Sequence, residues 1–160
     1  MLHIDIICIG KVKESFFQEA IQEYSKRLSK YCILNIIELP DEKIPLSLNK
    51  NNENLIKQKE SNKILSHIKK SSYIICLDLT GKDFSSEELA DNINSLSISG
   101  ITNITFVIGG SLGMSKDLLN YADQKICFSK LTFPHQMIRV FLLEQLFRSF
   151  KIINGETYHR

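Results

Sequence analysis

The chain has 160 residues, 43% of them hydrophobic and 24% charged, and a net charge of +2. That length suits one domain, residues 1–160, with a real core, and the composition is that of an ordinary soluble globular protein. No apolar run approaches the ~20 residues of a membrane span, and Met1–Asp5 lacks the basic start of a signal peptide, so a cytoplasmic protein without a membrane segment is expected.

Residues His3–Ile9 read as a β-strand ended by Gly10. Phe17, Ile21, Tyr24, Leu28 and Tyr31 then recur at steps of four and three, one face of an amphipathic helix. A second strand is predicted at Ile33–Leu39, closed by Pro40-Asp41, and the polar stretch Glu42–Asn54 reads as a mobile loop. A less regular helix runs from Leu55 to about Lys70, followed by the strand Tyr73–Leu79 and a turn at Thr80-Gly81-Lys82. Ser85 and Glu88 have the spacing of a capping box, and the helix they open ends near Gly100. The strand Ile104–Ile108, a Gly-rich turn, a short helix from Ser115 and the strand Lys125–Phe128 come next. A last helix, Gln136–Ile152, is stopped by Asn154-Gly155. Strands alternating with helices predict an α/β domain with a mostly parallel sheet. The last helix is apolar nearly all round, so part of its surface is expected to meet a second copy in a homodimer.

Cys8, Cys32, Cys76 and Cys127 lie far apart in apolar stretches, which predicts buried, reduced thiols. Neither Cys nor His clusters as zinc requires, so no metal is expected. Charge is unevenly placed. From Lys125 onward six basic residues face two acids, while the preceding part holds 14 basic and 16 acidic residues. That asymmetry suits a local anionic partner, as it also suits a solvated basic face.

Three passages of the last third carry candidate chemistry. Gly109-Gly110-Ser111-Leu112-Gly113 follows a strand, where glycines admit a ligand close to the backbone. Its spacing departs from a dinucleotide fingerprint, and no acid follows about 20 residues on. In Phe128–His135, Pro134 holds Phe133 extended and the loop's peptide groups suit an adenine edge. His135 and Arg139, four residues apart, project from one helix face, as a buried pair or as site residues. Tyr158, His159 and Arg160 offer base stacking, proton exchange and phosphate pairing; a frayed end would have the same sequence.

Taken together, Gly10-Lys11, Pro40–Lys43, Leu77-Asp78 before Gly81-Lys82, VIGGSLGM, FSKLTFPHQMIRV and the closing Tyr-His-Arg resemble the SPOUT-class RNA methyltransferases, specifically the ribosomal RNA large subunit methyltransferase H family. The resemblance runs the whole length; Leu112 and Met114 are modest departures from it. It implies an α/β domain whose C-terminal part is tied in a deep trefoil knot, acting as a homodimer. It implies S-adenosylmethionine as cofactor, held at Leu77, at Gly109 and Gly110, and at Phe128, Ser129, Lys130, Leu131, Thr132 and Phe133. It implies methylation of N3 of a pseudouridine in 23S rRNA, with the assembled ribosome as substrate. The catalytic candidates are then His135, Arg139, Tyr158, His159 and Arg160. His159 or His135 is expected to accept the N3 proton and Arg139 or Arg160 to stabilise the developing anion, with positioning alone, without a dedicated base, as the alternative. The tail of one subunit is expected to complete the site of the other. A non-enzymatic nucleotide- or RNA-binding module is the competing expectation, and a dinucleotide-dependent oxidoreductase a weaker one.

Overall fold

A computed structural model describes residues Met1–Tyr158; His159 and Arg160 lie outside the described residues. In chain order the elements are β1 (Leu2–Ile9), α1 (Ser15–Leu28), β2 (Cys32–Leu39), α2 (Lys50–His67), β3 (Tyr73–Asp83), α3 (Ser86–Ile98), β4 (Asn103–Ile108), α4 (Lys116–Tyr121), β5 (Gln124–Cys127) and α5 (His135–Ile153). The five strands form one sheet in the order β2-β1-β4-β3-β5, parallel throughout. The expected α/β architecture is thus observed.

Each central strand is apolar on both faces because helices cover both. Along β1 the side chains alternate: Ile4, Ile6 and Cys8 enter a core with Leu28, Leu89, Ile93, Leu142 and Leu146 from α1, α3 and α5. Ile7 and Ile9 enter the opposite core, with Ile64 of α2 and Leu118 of α4. Each fully buried Ile contributes roughly 1.5–3 kcal/mol of transfer free energy. All four cysteines are buried and free, with Cys8, Cys32 and Cys76 pushed up to about 12 chiefly by burial, so none of these three is a thiolate near neutrality.

The structure departs from the sequence reading at two places. Helix α2 begins at Lys50 rather than Leu55, because the Asn49 side chain caps it by accepting from the Asn52 amide at 2.9 Å. The polar stretch is therefore helical from Lys50 onward. Strand β3 does not stop at Leu79. Leu77 and Lys82 both lie opposite Ile126, so the residues between them bulge out and the strand resumes. Gly81 makes this possible: a Cβ there would lie 2.6 Å from the Ile126 backbone. The capping box at Ser85 and Glu88 forms as expected.

Candidate active site

Strand β3 lies between β4 and β5, so three loops leave adjacent strands at one carboxyl edge of the sheet. Leu77, near the end of the regular part of β3, pairs with both Ile108 and Ile126. The Gly turn follows Ile108, and the Phe128–Phe133 loop follows Cys127. The chain thereby gathers Leu77, Gly109, Gly110 and Phe128–Phe133, which are far apart in sequence. Chain connections diverge between β1 and β4, and the crevice outside such a pair is where open α/β sheets bind ligands.

The Gly turn is tightly wrapped. The Gly113 amide donates to Gly110 O at 3.0 Å, and Gly113 sits at φ +87°, a left-handed conformation that suits glycine. A Cβ on Gly109 would lie 2.9 Å from Met114 Cγ, and one on Gly110 would lie 2.7 Å from Glu60 Oε2. Helix α2 braces the turn, since Ser61 Oγ accepts from the Ser115 amide at 3.0 Å. Ser115 in turn caps α4 through the Leu118 amide.

In the loop before α5, Ser129 Oγ accepts from the Leu131 amide at 3.0 Å, and Phe133 meets Phe141 edge to face at 5.3 Å. Lys130, Leu131 and Thr132 are exposed. Beside the loop is a cavity of about 290 Å³ between Phe128, Ser129, Phe133, Phe141 and the start of α3 at Ser85 and Ser86.

His135 begins α5 against Gly10: a Cβ on Gly10 would lie 3.1 Å from the imidazole Cε1. Its Nδ1 is 3.3 Å from Arg139 Nη2, and a guanidinium only donates, so Nδ1 accepts and the neutral ring carries its proton on Nε2. Burial, and then the Arg139 charge, hold this histidine below its ordinary pKa. Arg139 itself is 2% exposed. It pairs with Glu38 at 2.7 Å and donates to Ile9 O at 3.0 Å and Gly10 O at 2.8 Å, tying α5 to the ends of β1 and β2. Glu38 also accepts from the Val12 amide at 2.8 Å, and Gln136 from the Lys13 amide at 3.1 Å. This buried arrangement is the structural alternative noted for the His135–Arg139 pair.

Tyr158 follows α5 and packs back against its middle. Its hydroxyl donates to the Glu144 carboxylate at 2.7 Å, and its ring stacks under Arg148 at 4.0 Å. Burial and Glu144 raise the phenol's pKa, so it stays protonated. Within one chain, Tyr158 and His135 are therefore not brought together; Glu144 is nine residues along the helix from His135, about 13 Å of axial rise. The expected His159 and Arg160 lie outside the described residues. No group of three or more His, Cys, Asp or Glu side chains that could hold a metal ion occurs among the described residues.

Sequence reasoning missed Glu38 and Glu60. A signal for Glu60 was present: Ile56, Glu60 and Ile64 fall at steps of four, a lone acid in an apolar helix stripe.

Residues 2–159 match the family described as "Predicted SPOUT methyltransferase". The chain is 57% identical over 159 residues to the ribosomal RNA large subunit methyltransferase H of Clostridium novyi, covering 99% of this chain and 100% of that protein. It is 55% identical over the same length and coverage to the protein of that name from Clostridium botulinum strain Kyoto. Among solved structures, a probable methylase family protein of Haemophilus influenzae matches with a TM-score of 0.55 at 12% identity, over 98% of this chain and 70% of that one. The TrmH/SpoU tRNA modifying enzyme of A. aeolicus matches with a TM-score of 0.52 at 14% identity, over 95% of this chain and 77% of that one. Those two likenesses speak to the fold, and the family follows from the full-length sequence matches: the chain belongs to the SPOUT methyltransferases, alongside the ribosomal RNA large subunit methyltransferase H proteins.

Proposed function

We propose that this protein transfers a methyl group from S-adenosylmethionine to N3 of a pseudouridine in 23S rRNA, acting in the cytoplasm as a homodimer on the assembled ribosome. The observation that carries the reading is the meeting of Leu77, the Gly turn and the Phe128–Phe133 loop at one sheet edge. Those residues fit the cofactor: two glycines without room for a Cβ on their inner side, an exposed loop, and an orphaned buried acid oxygen beside the turn. The C-terminal knot of the family is part of this proposal, with the loop before α5 as its crossing segment.

The cofactor's sulfonium supplies an activated methyl group, and the protein's contribution is to align and deprotonate the target nitrogen. Gly109 and Gly110 let the turn pack closely on Met114 and Glu60, which leaves its backbone groups to line the donor site, while Leu77 and Phe133 exclude water. With its proton on Nε2, His135 is a hydrogen-bond donor to a developing uracil anion rather than its base. His159 is then the proton acceptor, with Tyr158 stacking on the base and Arg160 pairing with phosphate. Arg139 acts through position, holding α5 and His135 against β1. The separation of Tyr158 from His135 within one chain supports a tail that serves the other subunit. Exposed Phe141 and Ile152 on α5 suit the contact between copies.

A net charge of +2 gives little general attraction for RNA, so recognition rests on the shaped surface of the ribosome. The test is transfer of labelled methyl from S-adenosylmethionine to ribosomes lacking the modification, beside naked 23S rRNA. Transfer to ribosomes and poor transfer to naked RNA are expected. Cofactor binding with no methyl transfer to any ribosome would instead favour the binding-module alternative.

A further inference from the structure

Glu60 stands out among the buried polar groups. It is 4% exposed, one carboxylate oxygen accepts from the Glu42 amide at 3.1 Å, and the other has no partner among the described residues. The bare backbone of Gly110 packs directly over this carboxyl, since a Cβ on Gly110 would sit 2.7 Å from the unpartnered oxygen. Asp41 and Glu42 face it from the loop after β2, and Lys63 from its own helix. Lys63 is already engaged, at 2.7 Å from the Glu42 carboxylate and 2.9 Å from Pro40 O. The Gly turn and the end of β1 bring no charge at all. An acid so placed lacks a countercharge of its own, and burial, ahead of the Asp41 charge, raises its pKa.

We infer that Glu60 is a specificity-determining residue that reads the charge of the methyl donor: its carboxyl ionises when a sulfonium lies on the Gly turn and is protonated when the neutral thioether product replaces it. This rests on the Gly turn holding the donor, as proposed above. On donor binding the Glu60 O–H bond breaks and the proton goes to solvent. When the methyl leaves, the carbon–sulfur bonding pair stays on sulfur, which becomes neutral, and the carboxylate takes a proton back from solvent. A buried anion without its cation is costly, so the spent donor is held less tightly than the fresh one. For unit charges at an effective dielectric of about 20, a preference on the order of tenfold is expected.

The experiment is calorimetry of S-adenosylmethionine and S-adenosylhomocysteine on the full-length protein, in two buffers of unlike ionisation enthalpy, over about pH 5–8. The two ligands share their amino and carboxyl groups, so those protons cancel in the comparison. Expected are proton release on binding the sulfonium but not the thioether, and an affinity ratio that rises about tenfold with pH. Glu60→Gln retains an acceptor for the Glu42 amide and removes the charge, so both signals vanish. Equal proton release for the two ligands, or an unchanged affinity ratio in Glu60→Gln, overturns the inference. Should that variant fail to fold, a ratio that stays flat with pH in the wild-type protein overturns it equally. If the wild type binds neither ligand, the donor site itself is wrong.

Discussion

Substituting Gly110 by alanine puts a methyl group 2.7 Å from Glu60 Oε2, 3.0 Å from Ile9 Cγ2 and 3.2 Å from Glu60 Oε1. Ordinary contacts to a Cβ begin near 3.4 Å, so Glu60 must retreat by several tenths of an ångström. It has little freedom to do so, being buried and held by the Glu42 amide. Overpacking of this kind costs about 1–3 kcal/mol, and weakening the hydrogen bond adds about 1 kcal/mol. A total of about 2–4 kcal/mol lowers the melting temperature by roughly 5–12 °C in a domain of this size. Thermal and urea unfolding of Gly110→Ala, Glu60→Ala and the double variant measure it. Glu60→Ala makes room for the new methyl group, so the double variant should be more stable than the sum of the singles predicts by about 1 kcal/mol or more. An unchanged melting point in Gly110→Ala, or strict additivity in the cycle, would refute the packing argument.

Arg139→Ala strands two buried carbonyls, Ile9 O and Gly10 O, and removes the partner of the partly exposed Glu38; a loss of about 2–4 kcal/mol in urea unfolding is expected. Native-like stability in that variant would show that the buried guanidinium is not the tie between α5 and β1. His135 has its folded pKa lowered, so above the unfolded value near 6.5 it has no effect on stability, and as pH falls through that value the unfolded chain gains a proton that the folded chain resists. Wild-type stability should therefore fall more between about pH 7 and 5 than that of His135→Asn; parallel profiles would contradict the half-buried, neutral histidine. Tyr158→Ala removes the contacts with Glu144, Arg148 and Phe147 but none with the Gly turn. Methyl transfer should fall while calorimetric affinity for the donor holds, and a matching loss of donor affinity would contradict a tail on the RNA side.

Much of the fold was legible because its signals are local. The period-two alternation of β1, the 3.6 period of α1 and the capping box at Ser85 each depend on residues within one or two turns. Where the reading slipped, a tertiary contact was responsible. β3 continues past Leu79 only because Gly81 slips against the Ile126 backbone, a partner 45 residues away that no local pattern reveals. The irregular period of α2 arose because its inner face carries Glu60 and Ser61 to brace the Gly turn.

The candidate site divides in the same way. By its own residue types and spacings, the sequence determined the α/β class, the Gly turn, the Pro-His entry to α5 and the family to which the chain belongs. Only the tertiary structure decided which groups have partners. His135 and Arg139 share a helix face in any reading, yet the carboxyl ends of β1 and β2 make Arg139 a buried tie and fix the histidine's proton. Glu60 interrupts an apolar stripe in the sequence, yet only the fold shows that Gly110 closes over it and that one oxygen lacks a partner among the described residues. Burial and hydrogen-bond satisfaction belong to pairs of residues distant in the chain, and those pairs exist only once the sheet has brought its carboxyl ends together.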